Sequence, residues 1–216
     1  MPIGDHLRDV MDLYGSPKCP HTNAVLIAAG EKGVDINSHV EDDWGPSSSI
    51  RSMSPLGIGP VLKDRSAVNI GVVSCMSYLD DKGFGPSLVH RNGVTRARMF
   101  QEITIAQQTD CSDDAALAAA LDQLEATLNS PLGNMKGDYC VGQYTLADCA
   151  LAGVCQVATN MGKGTAVSSR SAVNTWFAAV QSHPSTSKEA INPFSCLSTK
   201  ADHDGNTMRD VRINTA

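Results

Sequence analysis

The sequence has no long hydrophobic run. Its longest apolar stretch lies between Cys149 and Cys155, far short of the roughly 18 residues that a membrane-spanning helix needs. The opening segment, MPIGDHLRDVM, carries Asp5 and Asp9 without an apolar stretch, which is not the pattern of a secretory signal. We therefore expect a cytoplasmic protein that does not associate with a membrane.

Positive charge is scarce as well. The chain has 17 lysines and arginines against 23 aspartates and glutamates, and its formal net charge is -6. No run of basic residues interrupts this acidic balance. Because binding to the phosphate backbone needs a basic surface, nucleic acid is not an expected partner.

Spacings typical of metal sites are missing. The six histidines form no HxxxH pair, and the seven cysteines form no CxxC, so neither a zinc ribbon nor a CxxC redox motif is indicated. We expect no metal cofactor. The cysteines are Cys19, Cys75, Cys111, Cys140, Cys149, Cys155 and Cys196. In a reducing compartment most such residues are small buried hydrophobes.

The 216 residues are enough for one large or two small domains, and the pattern changes near the middle of the chain. We expect an N-terminal extension over 1–11 and an α/β domain over 12–83. Its expected elements are strand 12–14, turn 15–20, helix 21–32, strand 34–40, strands 60–62 and 67–70, and helix 72–79. The order β-α-β-loop-β-β-α is that of a thioredoxin-like domain.

The second half predicts helices only. After a linker over 84–93, four helices are expected within an all-helical domain spanning 94–192, and residues 193–216 are polar and aperiodic, as in a flexible tail. The third of these helices opens with Thr145 and Asp148 in the spacing of a capping box. We interpret Asp148 as a structural residue, worth about 0.5–2 kcal/mol of stability.

Four segments match a known pattern in order and spacing. They are LYGSPKC at 13–19, the 14-residue step from Cys19 to Gly33, SPLGIGPVL at 54–62 and CVGQYTLAD at 140–148. Together they resemble the cytosolic glutathione transferase superfamily, with an N-terminal motif like that of the phi, tau and omega classes. The resemblance covers about 12–192. It implies a thioredoxin-like glutathione-binding domain followed by an all-helical domain, and assembly as a homodimer.

The resemblance places Cys19 at the position of the thiol-activating residue. The residues themselves support a reactive thiol there, because a helix N-terminus lowers a thiol pKa and Lys18 adds positive charge. His21 is a second candidate ligand contact, although a histidine facing solvent is the preferred interpretation. Pro60 corresponds to the family's cis-proline, and the backbone of Gly59 would hold the cysteinyl part of glutathione.

Two positions depart from the family. Where it has Glu-Ser at the start of a helix, to bind the γ-glutamyl end of glutathione, this chain has Gly71 and Val72. Amides of the helix end can still bind a carboxylate. The helices over 95–129 are also about two dozen residues shorter than usual, which should open or remove the second-substrate pocket. Trp44 lies in the segment that borders the ligand cleft in this fold.

Two functions fit these observations. The first is a glutathione transferase or thiol transferase, in which Cys19 uses glutathione as co-substrate against a small electrophile or a disulfide. The second is a non-catalytic module of the same fold, kept for protein association or ligand binding. The missing Glu-Ser pair and the trimmed helices favour the second, whereas Cys19 favours the first.

Overall fold

A computed structural model of the chain describes residues 10–42, 45–129 and 137–183. Trp44, the first nine residues of the expected extension and the expected tail over 193–216 lie outside these residues.

The first half folds around a four-stranded mixed sheet. Its strands are β1 (Met11–Gly15), β2 (Ile36–Val40), β3 (Val61–Asp64) and β4 (Ala67–Ile70), in the order β2-β1-β3-β4. β1 pairs parallel with β2 and antiparallel with β3, so Leu13 lies opposite both Ser38 and Leu62. The helices are α1 (Pro20–Glu31), α2 (Ser49–Met53) and α3 (Val72–Lys82). This is the thioredoxin-like arrangement that the sequence predicts.

Local sequence explains where these elements begin and end. Alternation buries Met11 and Leu13 on one face of β1 and leaves Asp12 and Tyr14 half-exposed on the other. Pro20 opens α1, where its missing N–H costs no hydrogen bond. Gly33, with φ of 61°, follows the helix in the left-handed conformation that favours glycine.

The second half is helical. It contains α4 (Gly93–Gln108), α5 (Asp114–Asn129), α6 (Leu146–Ala158), a π-helical turn (Thr159–Lys163), α7 (Gly164–Ser168) and α8 (Ser171–Gln181). α4 and α5 each have only 16 residues and are joined by the short segment 109–113. The sequence did not predict the π-helical turn or α7. Within the turn, Gly162 adopts φ of 80°, which is not a helical conformation.

α6 is the central helix, since every one of its residues is buried. It packs against α1 of the sheet domain and against α4 and α8. The approach of α1 is close at Gly153, where a Cβ would overlap the carbonyl oxygen of Pro20 and lie 2.9 Å from the backbone nitrogen of Ala24. A glycine at this point therefore sets the distance between the two domains at the start of α1.

Asp148, in the first turn of α6, organises more than the helix start. Its carboxylate accepts hydrogen bonds from the Thr145 amide at 2.8 Å, from the Cys140 amide at 3.0 Å and from Trp176 Nε1 at 2.8 Å. The capping box is thus confirmed. The loss of stability of about 0.5–2 kcal/mol expected for removing a cap is too small for Asp148, because the same side chain also binds α8 through Trp176.

A buried ion pair ties the sheet domain to the segment that follows it. Lys32 Nζ lies 3.1 Å from the Asp80 carboxylate, with both side chains at most 3% exposed. Lys32 also donates to the Pro86 carbonyl at 3.0 Å, and the Leu88 amide donates to Asp80 at 2.7 Å. The segment expected as a linker is therefore anchored on α1 and α3.

Across the described ranges, no helix combines the length and apolarity that a membrane crossing requires.

Candidate active site

The turn between β1 and α1 holds Cys19 at the N-terminus of α1. Cys19 is the N-cap residue, with φ of -92° and ψ of 121°, and its amide donates to the Ser16 carbonyl at 3.0 Å. The Asn23 side chain closes the turn by donating to the carbonyl groups of Pro17 and Cys19, each at 2.9 Å. The sequence did not predict this role of Asn23. The signal that could have indicated it is an amide side chain one turn into an otherwise apolar helix.

The Cys19 thiol is activated by its surroundings. Burial by itself would raise its pKa, but a hydrogen bond and the charge of His21, together with the amide and hydroxyl of Thr22, outweigh burial and lower the pKa below the ordinary value. Thr22 is fully buried, and its hydroxyl finds no other hydrogen-bond partner among the described residues. A thiolate at Cys19 gives this hydroxyl an acceptor.

The other described cysteines differ from Cys19 in this respect. Burial is the largest cause in each case, and it raises the pKa of Cys75 to about 12 and that of Cys111 to about 11. Burial also raises the thiol pKa of each cysteine in the α6 region: Cys140, Cys149 and Cys155. Of the six cysteines within the described ranges, Cys19 is therefore the one whose surroundings favour the thiolate.

His21 is half-buried rather than turned to solvent as expected. Its pKa is raised chiefly by the hydrogen bond to Cys19, and the carbonyl groups of Ala106 and Gln107 at the end of α4 favour the protonated ring further. The His21 Nε2 atom has no hydrogen bond of good geometry within the described residues. The two carbonyl groups therefore influence the pKa of His21 because they lie close to the ring. The sequence could not show this, because the two carbonyl groups are 85 and 86 residues away along the chain.

The Lys18 side chain pairs with Asp42. Its side chain is exposed and lies 3.4 Å from the Asp42 carboxylate, which also accepts a hydrogen bond from the Ser16 hydroxyl at 2.5 Å. Activation of Cys19 therefore comes from His21 and Thr22, and the structure gives Lys18 no part in it.

The Gly59-Pro60 peptide bond is cis, as predicted. Both residues are buried, and the loop before them is held by the Ser54 hydroxyl, which accepts from the Ile58 amide at 3.0 Å. The Pro60 carbonyl accepts from the Gly71 amide at 2.8 Å. This hydrogen bond joins the Gly59-Pro60 segment to the start of α3.

Gly71 and Val72 differ in their structural roles at the start of α3. Gly71 is the N-cap of α3, with φ of 80°, a conformation that disfavours the glutamate of the family pattern. The Val72 side chain is 2% exposed and packs in the hydrophobic core. What remains for an anion are the amides of Val72, Val73 and Ser74, which have no acceptor within the helix.

No group of three or more histidine, cysteine or acidic side chains in the described parts of the chain could hold a metal ion.

Comparison with known proteins supports the fold. No protein-family model matches the chain. Among curated proteins, the stringent starvation protein A homolog of Coxiella burnetii is 33% identical over 91 residues, which cover 42% of this chain and 44% of that protein. The homolog of Pasteurella multocida is 27% identical over 155 residues, or 67% of this chain and 73% of that protein.

Solved structures match over most of the chain. The maleylacetoacetate isomerase of Methylobacterium extorquens, solved with bound malonate and glutathione, has a TM-score of 0.72 and 18% identity over 85% of this chain and 96% of that one. Glutathione transferase F2 of Populus trichocarpa has a TM-score of 0.68 and 20% identity over 86% and 99% of the two chains. FzlA of C. crescentus has a TM-score of 0.68 and 20% identity over 82% and 89%. The resemblance drawn from the sequence motifs is thus confirmed, and the chain has the fold of the glutathione transferase superfamily.

Proposed function

We propose that the protein is a cytoplasmic thiol transferase that uses glutathione through Cys19. The observation that carries the proposal is the place of Cys19 as the N-cap of α1, where, against the effect of burial, His21 and Thr22 lower its pKa, whereas burial raises the pKa of the other described cysteines. A thiolate in this position is ready for disulfide exchange. The glutathione bound in the related isomerase structure supports the same co-substrate.

Glutathione would lie across Cys19, the Gly59-Pro60 backbone and the amides that open α3. In the first step, the Cys19 thiolate attacks the glutathionyl sulfur of a mixed disulfide, and the substrate leaves as a thiolate. Protonated His21, next to Cys19, can give that thiolate its proton. In the second step, a glutathione thiolate attacks the Cys19–glutathione disulfide, releasing Cys19 and glutathione disulfide.

The test is turnover of a small glutathione mixed disulfide in the presence of reduced glutathione. Cys19→Ala should reduce the rate to that of the uncatalysed exchange while its circular dichroism stays unchanged. Cys75→Ala is the matched control, because its thiol is buried and has a raised pKa, and it should keep wild-type turnover. Turnover that survives in Cys19→Ala contradicts the proposal.

A second candidate is a non-catalytic module that associates with other proteins. Loss of the Glu-Ser pair supports it, since each missing charge-assisted hydrogen bond weakens glutathione binding by about 1.5–3 kcal/mol. The curated proteins that match carry the name stringent starvation protein A homolog and not that of a transferase, which fits this alternative too. A partner complex that persists in Cys19→Ala, with no measurable turnover in the wild type, would favour it.

Homodimer formation belongs to the same proposal. Apolar side chains in the loop before β3 and on β4 are exposed, among them Leu56 at 80%, Ile58 at 49% and Val68 at 42%. A second copy of the chain covering this surface would remove them from water. Sedimentation analysis of the wild type should give a dimer, and Leu56→Glu should give a monomer.

A further inference from the structure

The Thr22 hydroxyl is a buried polar group that the two proposed steps do not use. Thr22 is fully buried, and its Oγ1 atom has no hydrogen bond of good geometry among the described residues. A buried hydroxyl without a partner is unfavourable, because it gives up hydrogen bonds to water and gains none in return. An acceptor that becomes charged only during the reaction would explain why the hydroxyl is there.

This hydroxyl does not bond to the backbone of its own helix. A threonine hydroxyl in a helix commonly donates to the carbonyl group three or four residues earlier, which for Thr22 is that of Cys19 or Lys18. The Cys19 carbonyl already accepts from the Asn23 amide at 3.2 Å and from the Asn23 side chain at 2.9 Å. Thr22 Oγ1 donates to neither carbonyl group, so it is available to a different acceptor.

The place of Thr22 in α1 brings it next to the Cys19 side chain. Cys19 is the N-cap residue, and Thr22 is the third residue of the helix that begins at Pro20. These two positions are neighbours, which is why the side chain of an N-cap residue commonly accepts from the amide of the third helical residue. Both the amide and the hydroxyl of Thr22 are among the causes that lower the pKa of Cys19, in agreement with this placement.

Gly15 gives the hydroxyl its space. Gly15 is the last residue of β1 and begins the turn that carries Cys19. A Cβ at Gly15 would overlap Thr22 Oγ1 and would lie 2.9 Å from Thr22 Cγ2. The Thr22 side chain therefore occupies the volume that a side chain at position 15 would fill, at the base of the turn that ends at Cys19.

We propose that Thr22 is a positioning residue for the reaction at Cys19, in which its hydroxyl donates to the Cys19 sulfur whenever that sulfur carries negative charge. The proposal rests on the proposed function for the identity of the reaction. Hydrogen bonds to a charged acceptor are shorter and stronger than those to a neutral one. The hydroxyl therefore binds the thiolate more strongly than the sulfur of a thiol or a disulfide, and its hydrogen bond tightens during the reaction.

The effect is largest in the second step. A glutathione thiolate attacks the glutathionyl sulfur of the Cys19–glutathione disulfide, and the new S–S bond is that of glutathione disulfide. The electron pair of the broken bond stays on the Cys19 sulfur, which leaves as a thiolate. Thr22 donates to this sulfur and keeps its own proton, so the step transfers no proton. A leaving thiolate that is more stable leaves faster.

Thr22→Val and Thr22→Ser separate this role from packing. Valine keeps the shape of threonine and removes the hydroxyl, whereas serine keeps the hydroxyl and removes the methyl group. Thr22→Val should slow the release of glutathione from the Cys19 adduct by about tenfold. It should also move the midpoint of the pH profile for Cys19 alkylation upward, by less than His21→Ala does, because His21 is the larger cause. Thr22→Ser should stay close to the wild type in both measurements.

The adduct is prepared from each full reduced chain with glutathione disulfide, freed of excess reagent and located on Cys19 by peptide mapping. Its loss after addition of reduced glutathione is followed by mass spectrometry. Thr109→Val is the matched control, because Thr109 is buried and its hydroxyl already donates to the Ile105 carbonyl at 2.8 Å. This control should release glutathione at the rate of the wild type.

The outcomes separate the role of Thr22 from the proposed function. If Thr22→Val matches the wild type in both measurements, or if Thr22→Ser is the more impaired variant, the role of the hydroxyl is refuted and the proposed function stands. If Cys19 of the wild type takes up no glutathione, the proposed function fails, and the alkylation profiles decide by themselves whether the hydroxyl bonds to the thiolate. Where the valine variant does not fold, Thr22→Ala is compared with Thr22→Ser, since these two variants differ only in the hydroxyl.

Discussion

Replacing Asp148 by alanine should cost far more stability than the loss of an ordinary helix cap. The carboxylate accepts from three buried N–H groups, those of Thr145, Cys140 and Trp176, at 2.8–3.0 Å. A buried donor left without its acceptor costs about 1–3 kcal/mol. Burial raises the pKa of Asp148, so holding its charge is itself unfavourable and removing it returns part of the loss. We expect a net loss of about 3–4 kcal/mol in the free energy of unfolding.

Asp113→Ala is the matched control for that measurement. Asp113 caps the start of α5 by accepting from the amides of Ala115 and Ala116 at 2.8 Å and 3.3 Å, but it is exposed, and its side chain bonds to no other element among the described residues. Its loss should cost about 1 kcal/mol. Both variants are compared by urea unfolding of the reduced protein. If Asp148→Ala loses no more than Asp113→Ala, the side chain is only a cap and our reasoning about Trp176 is wrong.

Further predictions concern the thiol and the buried ion pair. His21→Ala should move the midpoint of the pH profile for Cys19 alkylation upward, because His21 favours the thiolate; an unchanged midpoint would show that the thiol is activated otherwise. Lys18→Ala should leave that midpoint unchanged, because the Lys18 ammonium pairs with the Asp42 carboxylate and not with the Cys19 thiol. Lys32→Met should destabilise the protein by about 3–5 kcal/mol in urea unfolding, because Asp80 stays buried without its cation; a loss below about 1 kcal/mol would contradict this. The pKa of Asp80 is lowered, so its contribution to stability is present above the unfolded value of about 3.9 and is lost as the pH falls through the folded one, which acid titration of unfolding can follow.

Local patterns predicted the elements of the fold well. The strand expected over 12–14 lies within β1, and the apolar run after Pro20 with its terminal Gly33 predicted α1. Thr145 and Asp148 predicted the start of α6, because a capping box is a contact between neighbours in sequence. The cis bond before Pro60 could be expected from the motif around it.

The candidate site could be predicted only in part, because its electrostatics depends on distant residues. The position of Cys19 before α1 made it the candidate residue. The sequence, however, favoured Lys18 as the residue that lowers its pKa and predicted that His21 faces solvent. The structure places His21 against the end of α4, a contact across the domain interface that no local pattern encodes. Val72, by contrast, lies on the apolar face that the helical pattern over 72–79 predicts, and its side chain is buried.

The central claim is that a glutathione site persists around Cys19 although Gly71 and Val72 replace the family's Glu-Ser pair. Calorimetric titration of reduced glutathione into the reduced protein tests it most directly. Our account predicts a dissociation constant near or below about 1 mM, or roughly −4 kcal/mol, provided by the Gly59-Pro60 backbone and the amides at the start of α3. No detectable heat of binding at glutathione concentrations several times higher would contradict it and favour the non-catalytic module.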